Sequence, residues 1–115
     1  MEKNNIKIDY DKEEDMLHLS KRESNVKFSF DIDLPNGDII LDFGFNGQIV
    51  GLEFFNASNY FPFLKNIKNQ KIKGKMSVQY GLNWAQVFYE VHIPGKKPIS
   101  NSLISPYNRE LVMKH

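Results

Sequence analysis

The dipeptide Asn46-Gly47 stands between two apolar runs, IILDFGF and QIVGLEFF. Asn-Gly accepts the positive φ of a tight hairpin, so the pattern predicts two antiparallel strands, residues 38–45 and 48–55, joined at that turn. Both strands are apolar on two faces. Ile39, Leu41 and Phe43 share one side of the first and Ile40 the other; in the second, Val50, Leu52 and Phe54 oppose Ile49 and Phe55. Such strands belong in the middle of a sheet, under cover from other parts of the fold. The cover is the following helix, the C-terminal strands or a second copy of the chain.

The flanking sequence continues the strand pattern. Ile6, Ile8 and Tyr10 alternate with Lys7 and Asp9. Leu17 and Leu19 point inward from an extended segment, 16–20. Val26, Phe28, Phe30 and Ile32 alternate with Lys27, Ser29, Asp31 and Asp33, until Pro35-Asn36-Gly37 forces a turn. Asn56 or Ser58 offers its own side-chain oxygen as the cap of one short helix near residues 57–67. Residues 71–81 and 83–93 form a second hairpin, turning at Gly81-Leu82-Asn83, and 99–104 and 110–113 add two short strands. The predicted fold is mainly β, an antiparallel β-meander or sandwich-like sheet with one short helix; α+β is the alternative. A chain of 115 residues supports one core, so residues 1–115 form a single domain. A faint echo at an offset of about 70 aligns Ile8, Tyr10, Leu17 and Leu19 with Val78, Tyr80, Val87 and Tyr89, and DLPNGDIILDF with SPYNRELVMKH, as two related β units would.

Charge is unevenly spread behind a net value of +1. Residues 28–64 contain no Lys or Arg and carry −5, together with nine of the fifteen aromatics. Residues 65–97 carry +6 through seven lysines against Glu90. Such polarity predicts two opposed faces or pairing between acidic and basic surfaces of different molecules. No apolar run approaches the roughly 20 residues of a membrane span. The first residues lack the apolar stretch of a secretory signal, and cysteine is absent, which together point to a reducing cytoplasm.

Several phrases carry a family resemblance: Tyr10-Asp11, Asp15 through Leu19, Asp38-Ile39-Ile40-Leu41-Asp42, Gly47 through Glu53, and Asn56-Ala57-Ser58. Over residues 6–58 the chain resembles the prokaryotic family known as "domain of unknown function 2283". It departs at Gly44, where an acidic turn residue is common, and at His18, where an aromatic is common. The resemblance implies a β fold and prokaryotic origin, and no activity. Residues 59–115 resemble no family.

Chemistry is sparsely signalled. Asp9, Asp11, Glu13, Glu14 and Asp15 crowd one turn, but the spacing lacks the glycine and terminal Glu of an EF-hand, and Asp11 reads as a cap of that turn. His18 alternates with Leu17 and Leu19 and so faces away from the core. On the strand after Asn83, Ala85, Val87, Tyr89, Val91 and Ile93 form one face. Trp84, Gln86, Phe88, Glu90 and His92 form the other, with Gln79 opposite. Trp84, Gln86, Glu90 and His92 are the candidate ligand-binding set, since Glu-x-His on one strand face can bind a metal or relay a proton, although no third ligand is identifiable. Lys65, Lys68, Lys71, Lys73 and Lys75 are candidate phosphate contacts for nucleic acid. With Lys71, Lys73 and Lys75 on one face of an edge strand, they serve equally to prevent sheet-to-sheet aggregation. There is no nucleophile elbow and no glycine-rich phosphate loop, so no catalytic residue, metal or cofactor is expected. The reading is a non-enzymatic β domain working through protein–protein contact as a homodimer, with nucleic-acid binding and a small-ligand or metal site as rivals and no membrane role.

Overall fold

The computed structural model describes residues 6–114. Five strands, β1 (Ile6–Asp11), β2 (Met16–Lys21), β3 (Val26–Ile32), β4 (Ile39–Gly44) and β5 (Ile49–Phe55), form one sheet in the order β1-β2-β5-β4-β3. A short helix, α1 (Ala57–Tyr60), and a 3₁₀ turn (Pro62–Asn66) lead into a second sheet. There β6 (Lys73–Tyr80), β7 (Trp84–His92) and β8 (Ile99–Pro106) lie in sequence order, followed by α2 (Arg109–Met113). Every pairing is antiparallel. The fold is mainly β, as the alternation predicts.

The two sheets share one core. Leu17, Leu19, Leu41, Leu52 and Phe54 from the larger sheet meet Ala85, Val87, Tyr89, Val91 and Ile93 from the smaller. The Phe54 ring meets Tyr89 edge-on at 5.0 Å and Phe61 at 5.1 Å, so the segment between the sheets wedges into the same cluster. The Tyr80 hydroxyl accepts the Ile49 N–H at 2.9 Å, and the Tyr107 hydroxyl donates to the Gly47 carbonyl, tying the second half to the hairpin of the first. The C-terminal strands, with the segment at 57–66, therefore cover the inner face of β4 and β5.

The central hairpin forms where Asn46-Gly47 predicts it, with a longer loop. Gly47 N–H reaches the Gly44 carbonyl and Gly44 N–H the Gln48 carbonyl, and only Gly47 takes positive φ (80°). That is the geometry of a three-residue loop rather than a two-residue one. A bulge follows: Asp42 pairs with Gly51 but Phe43 with Ile49. The extra residue flips the alternation, so Ile49 joins the core and Val50 lies against Gly44. This corrects the expected facing, which put Val50 with Leu52; one inserted residue exchanges the faces of everything beyond it.

Three other expectations change. The helix cap is not local: Asn56 is left-handed with no side-chain cap, and the Ser58 N–H donates instead to Asp15 Oδ1 at 3.0 Å from the β1–β2 turn. Residues 110–113 belong to α2 rather than to a strand, with Val112 N–H closing on the Asn108 carbonyl at 3.0 Å. The echo does not align as structure: Ile8 pairs with Leu19, whereas Val78 pairs with Val87, two positions short of the register that the offset requires.

Candidate functional site

On the outer face of the larger sheet, three neighbouring strands bring His18, Asp42 and Glu53 together. His18 of β2 pairs directly with Glu53 of β5, while Asp42 of β4 pairs with Gly51, two residues from Glu53 on the same face. One nitrogen or oxygen from each of the three lies within 4.8 Å of the others. His18 Nε2 stands 3.0 Å from Asp42 Oδ2. Ser29 of β3, cross-strand to Asp42, donates its hydroxyl to Oδ1 at 2.7 Å. Asp42 is only 1% exposed although it faces outward, because these neighbours enclose it.

Gly51 makes the space. A Cβ there would lie 3.0 Å from Asp42 Oδ2, 3.0 Å from the Leu19 carbonyl oxygen and 3.4 Å from His18 Nε2. Every nearest neighbour of that position is a ligand-type atom.

The charges are mutually adjusted. The hydrogen bond with Asp42 raises the His18 pKa against the opposing effect of burial, and the carboxylates of Glu53, Asp42 and Asp9 add to the rise. Burial would lift Asp42, but hydrogen bonds from His18 and Ser29 outweigh it and hold the carboxyl below its ordinary value. Glu53 goes the other way, pushed up by burial and by the neighbouring Asp42. One lowered carboxyl pKa, one raised carboxyl pKa and a raised imidazole pKa thus share one small site.

His18 faces outward as expected, but sequence reasoning did not single out Asp42 or Glu53. A signal was present: each is an acid inside an otherwise apolar strand, and buried acids need partners.

The smaller sheet carries the other candidates. Ala85, Val87, Tyr89, Val91 and Ile93 are buried, and Trp84, Gln86, Glu90 and His92 share the outer face with Phe88, Gln79 pairing with Gln86. Gln86 donates to Ser102 Oγ and Glu90 accepts the Ser100 hydroxyl, each at 3.1 Å, while His92 Nδ1 is buried without a partner. Among the described residues the one group of three metal-type ligands is His18, Asp42 and Glu53, so Glu90 and His92 gain no third. Of the lysines, Lys73 and Lys75 share the outer face of the edge strand β6. Lys65 lies in the 3₁₀ turn, and Lys68 and Lys71 precede the strand, so the expected three-lysine face is reduced to two. Asp11 caps its own turn, accepting the Glu14 N–H at 3.1 Å.

The third surface is apolar. β3 is a free edge of the larger sheet, and its inner side chains Phe28 and Phe30 border a hollow of about 350 Å³ with Phe43, Pro106, Tyr107 and Val112. Phe30 is 48% exposed.

Residues 7–58 match the family described as "Protein of unknown function (DUF2283)". The chain is 39% identical over 77 residues to an uncharacterized protein of Methanocaldococcus jannaschii, and the match spans 63% of this chain and 63% of that one. No solved structure matches the chain. The function of the family is not established, and Asp42, Gly51 and Glu53 all fall within the matched segment. No helix among the described residues is long and apolar enough to cross a membrane.

Proposed function

We propose that the chain is a non-enzymatic β domain that acts by self-association, as a homodimer built on the free edge of β3. The observation that carries this reading is the half-exposed Phe30 on that edge, over an apolar hollow which the smaller sheet leaves open. An unpaired edge with aromatic side chains is a template for another strand. The charges of the edge favour its own antiparallel copy. Lys27 lies at one end and Asp31 and Asp33 at the other, so antiparallel pairing sets Lys27 of each copy toward acids of its mate, and parallel pairing sets like against like. Two-fold pairing of this kind closes on itself, as isologous dimers do.

Light scattering at high micromolar concentration tests the reading. The expected mass is twice 13.4 kDa. Phe30→Asp should return the protein to a monomer with an unchanged circular dichroism spectrum, and Phe88→Asp on the opposite sheet should leave the dimer intact. A wild-type monomer under these conditions, or a dimer indifferent to Phe30→Asp, overturns it. The proposed setting is the cytoplasm of a prokaryote, supported by the archaeal relative and the cysteine-free sequence.

A second reading has one observation in its favour. Lys73 and Lys75 share their sheet face with the exposed rings of Trp84 (41%) and Phe88 (38%), a combination of cations and stacking surfaces suited to single-stranded nucleic acid. It predicts salt-sensitive binding of a labelled oligonucleotide that weakens when Lys73 and Lys75 become Gln. A flat anisotropy titration removes it.

A further inference from the structure

We propose that His18, Asp42 and Glu53 bind a divalent transition-metal ion, of which Zn²⁺ is the representative, over the backbone of Gly51. The donor set is one imidazole nitrogen and two carboxylates, a borderline combination that suits zinc and its neighbours. Calcium prefers six to eight oxygens, and magnesium retains most of its waters, so neither matches a three-residue set containing an imidazole.

The geometry is close to what such an ion needs. Bonds of about 2.0–2.1 Å in a tetrahedral site place ligand atoms about 3.3 Å apart. His18 Nε2 and Asp42 Oδ2 are 3.0 Å apart, and the Glu53 carboxylate completes a set within 4.8 Å. The Glu53 carboxyl already hydrogen-bonds Asp42, and the fourth position is left to water. Ser29 holds the far oxygen of Asp42, as an outer hydrogen-bond partner does for a metal-bound carboxylate.

Two independent features point to a cation. The first is the close approach of Asp42 Oδ2, the Leu19 carbonyl and His18 Nε2 over Gly51, where an added Cβ would press on all three. The second is uncompensated charge. Asp42 is almost fully buried, Asp9 pairs across from His18, and among the described residues neither Asp42 nor Glu53 forms an ion pair with Lys or Arg. The buried Asp42 carboxylate is hydrogen-bonded by Ser29, His18 and Glu53. Its one charged partner among the described residues is a partly exposed imidazole, a poor resting arrangement for charge. A polar hollow of about 490 Å³, lined by Asp9, Tyr10, Asp11, Lys12, Met16 and His18, borders the His18 side of the cluster.

The test uses the full, tag-free chain, stripped with chelator and titrated with zinc chloride by calorimetry. Saturable binding of one equivalent per chain is expected. His18→Phe and Glu53→Gln should each weaken it at least tenfold, and Gly51→Ala should weaken it although it removes no ligand. His92→Phe, on the other sheet, should leave it unchanged. His18→Phe also removes the imidazole paired with the buried Asp42 and should lower the zinc-free melting temperature. Its binding is therefore read at a temperature where its circular dichroism spectrum matches the wild type, with Glu53→Gln as the second variant. Cobalt(II) supplies a second readout, the intense visible absorption of a tetrahedral site, present in the wild type and absent in His18→Phe. No saturable zinc binding by the wild type, or binding untouched by His18→Phe and Glu53→Gln, overturns the proposal and leaves the cluster as a hydrogen-bonded network of protons alone.

Discussion

Asp15 does more for the structure than any other acid of its turn. Its carboxylate accepts the Tyr10 hydroxyl at 2.7 Å, the Ser58 hydroxyl at 2.7 Å and the Ser58 N–H at 3.0 Å, and its carbonyl accepts the Ala57 N–H at 2.9 Å. Burial pushes its pKa up, but the bonds from Ser58 and Tyr10 outweigh this and hold it below the ordinary 3.8. A carboxyl with a depressed native pKa binds protons more weakly folded than unfolded. Its contribution to stability is therefore complete above the unfolded value and lost as pH falls through the native one. Urea denaturation across the acid range should show midpoints falling on acidification below about pH 4, with a shallower fall in Asp15→Asn. At neutral pH that variant should lose about 1–2 kcal/mol, the low end for charge-assisted bonds because the turn is partly open to water. This residue also shows a limit of reading sequence. Asn56-Ala57-Ser58 correctly announced a helix start, but the oxygen that caps it lies 43 positions away, and spacing within the segment carries no trace of it.

Elements bounded by local chemistry were legible, and elements decided by register were not. Strict alternation along β7 placed all of its buried side chains, and Pro35-Asn36-Gly37 closed β3 as expected. The bulge at β5 escaped because QIVGLEFF is apolar in either phase. The segment ELVM was misread because four residues of mixed polarity suit a strand and a helical turn equally well. The turn at Gly37 offers a sharp test of local geometry. Its φ is +134°, and an added Cβ would lie 2.2 Å from the Phe55 carbonyl oxygen, so backbone must move to admit it. Gly37→Ala should cost about 2 kcal/mol or more and lower the melting temperature by several degrees. Gly95, at φ +83° with nothing within 4 Å, supplies the contrast: Gly95→Ala should lose only about 1 kcal/mol, the backbone penalty alone. Equal losses at the two sites, measured by thermal melting, would contradict the steric account.

At the scale of the molecule, apolar strands requiring cover proved a sound clue. The outer face of the larger sheet bears Asp9, Asp42 and Glu53 with Lys7, and that of the smaller bears Lys73 and Lys75 with Glu90. The candidate site stayed hidden because it needs three strands in register, and two of its members sit within runs that read simply as core. One shared core makes the two sheets interdependent. Phe61 is fully buried between Phe54 and Tyr89, so Phe61→Ala should cost about 3–5 kcal/mol and leave a single cooperative transition in which near-UV and far-UV signals coincide. A fragment of residues 1–68 should show collapsed amide dispersion by NMR, since Leu17, Leu52 and Phe54 would lose their cover. The contact of Phe54 with Tyr89 also has a meaning in time. A ribosome adding about 5–20 residues per second needs a few seconds after Phe55 to deliver β7. Throughout that interval the nascent chain presents the oily underside of its first hairpin to the cell, so the newborn protein should depend on trigger-type chaperones far more than its modest size suggests.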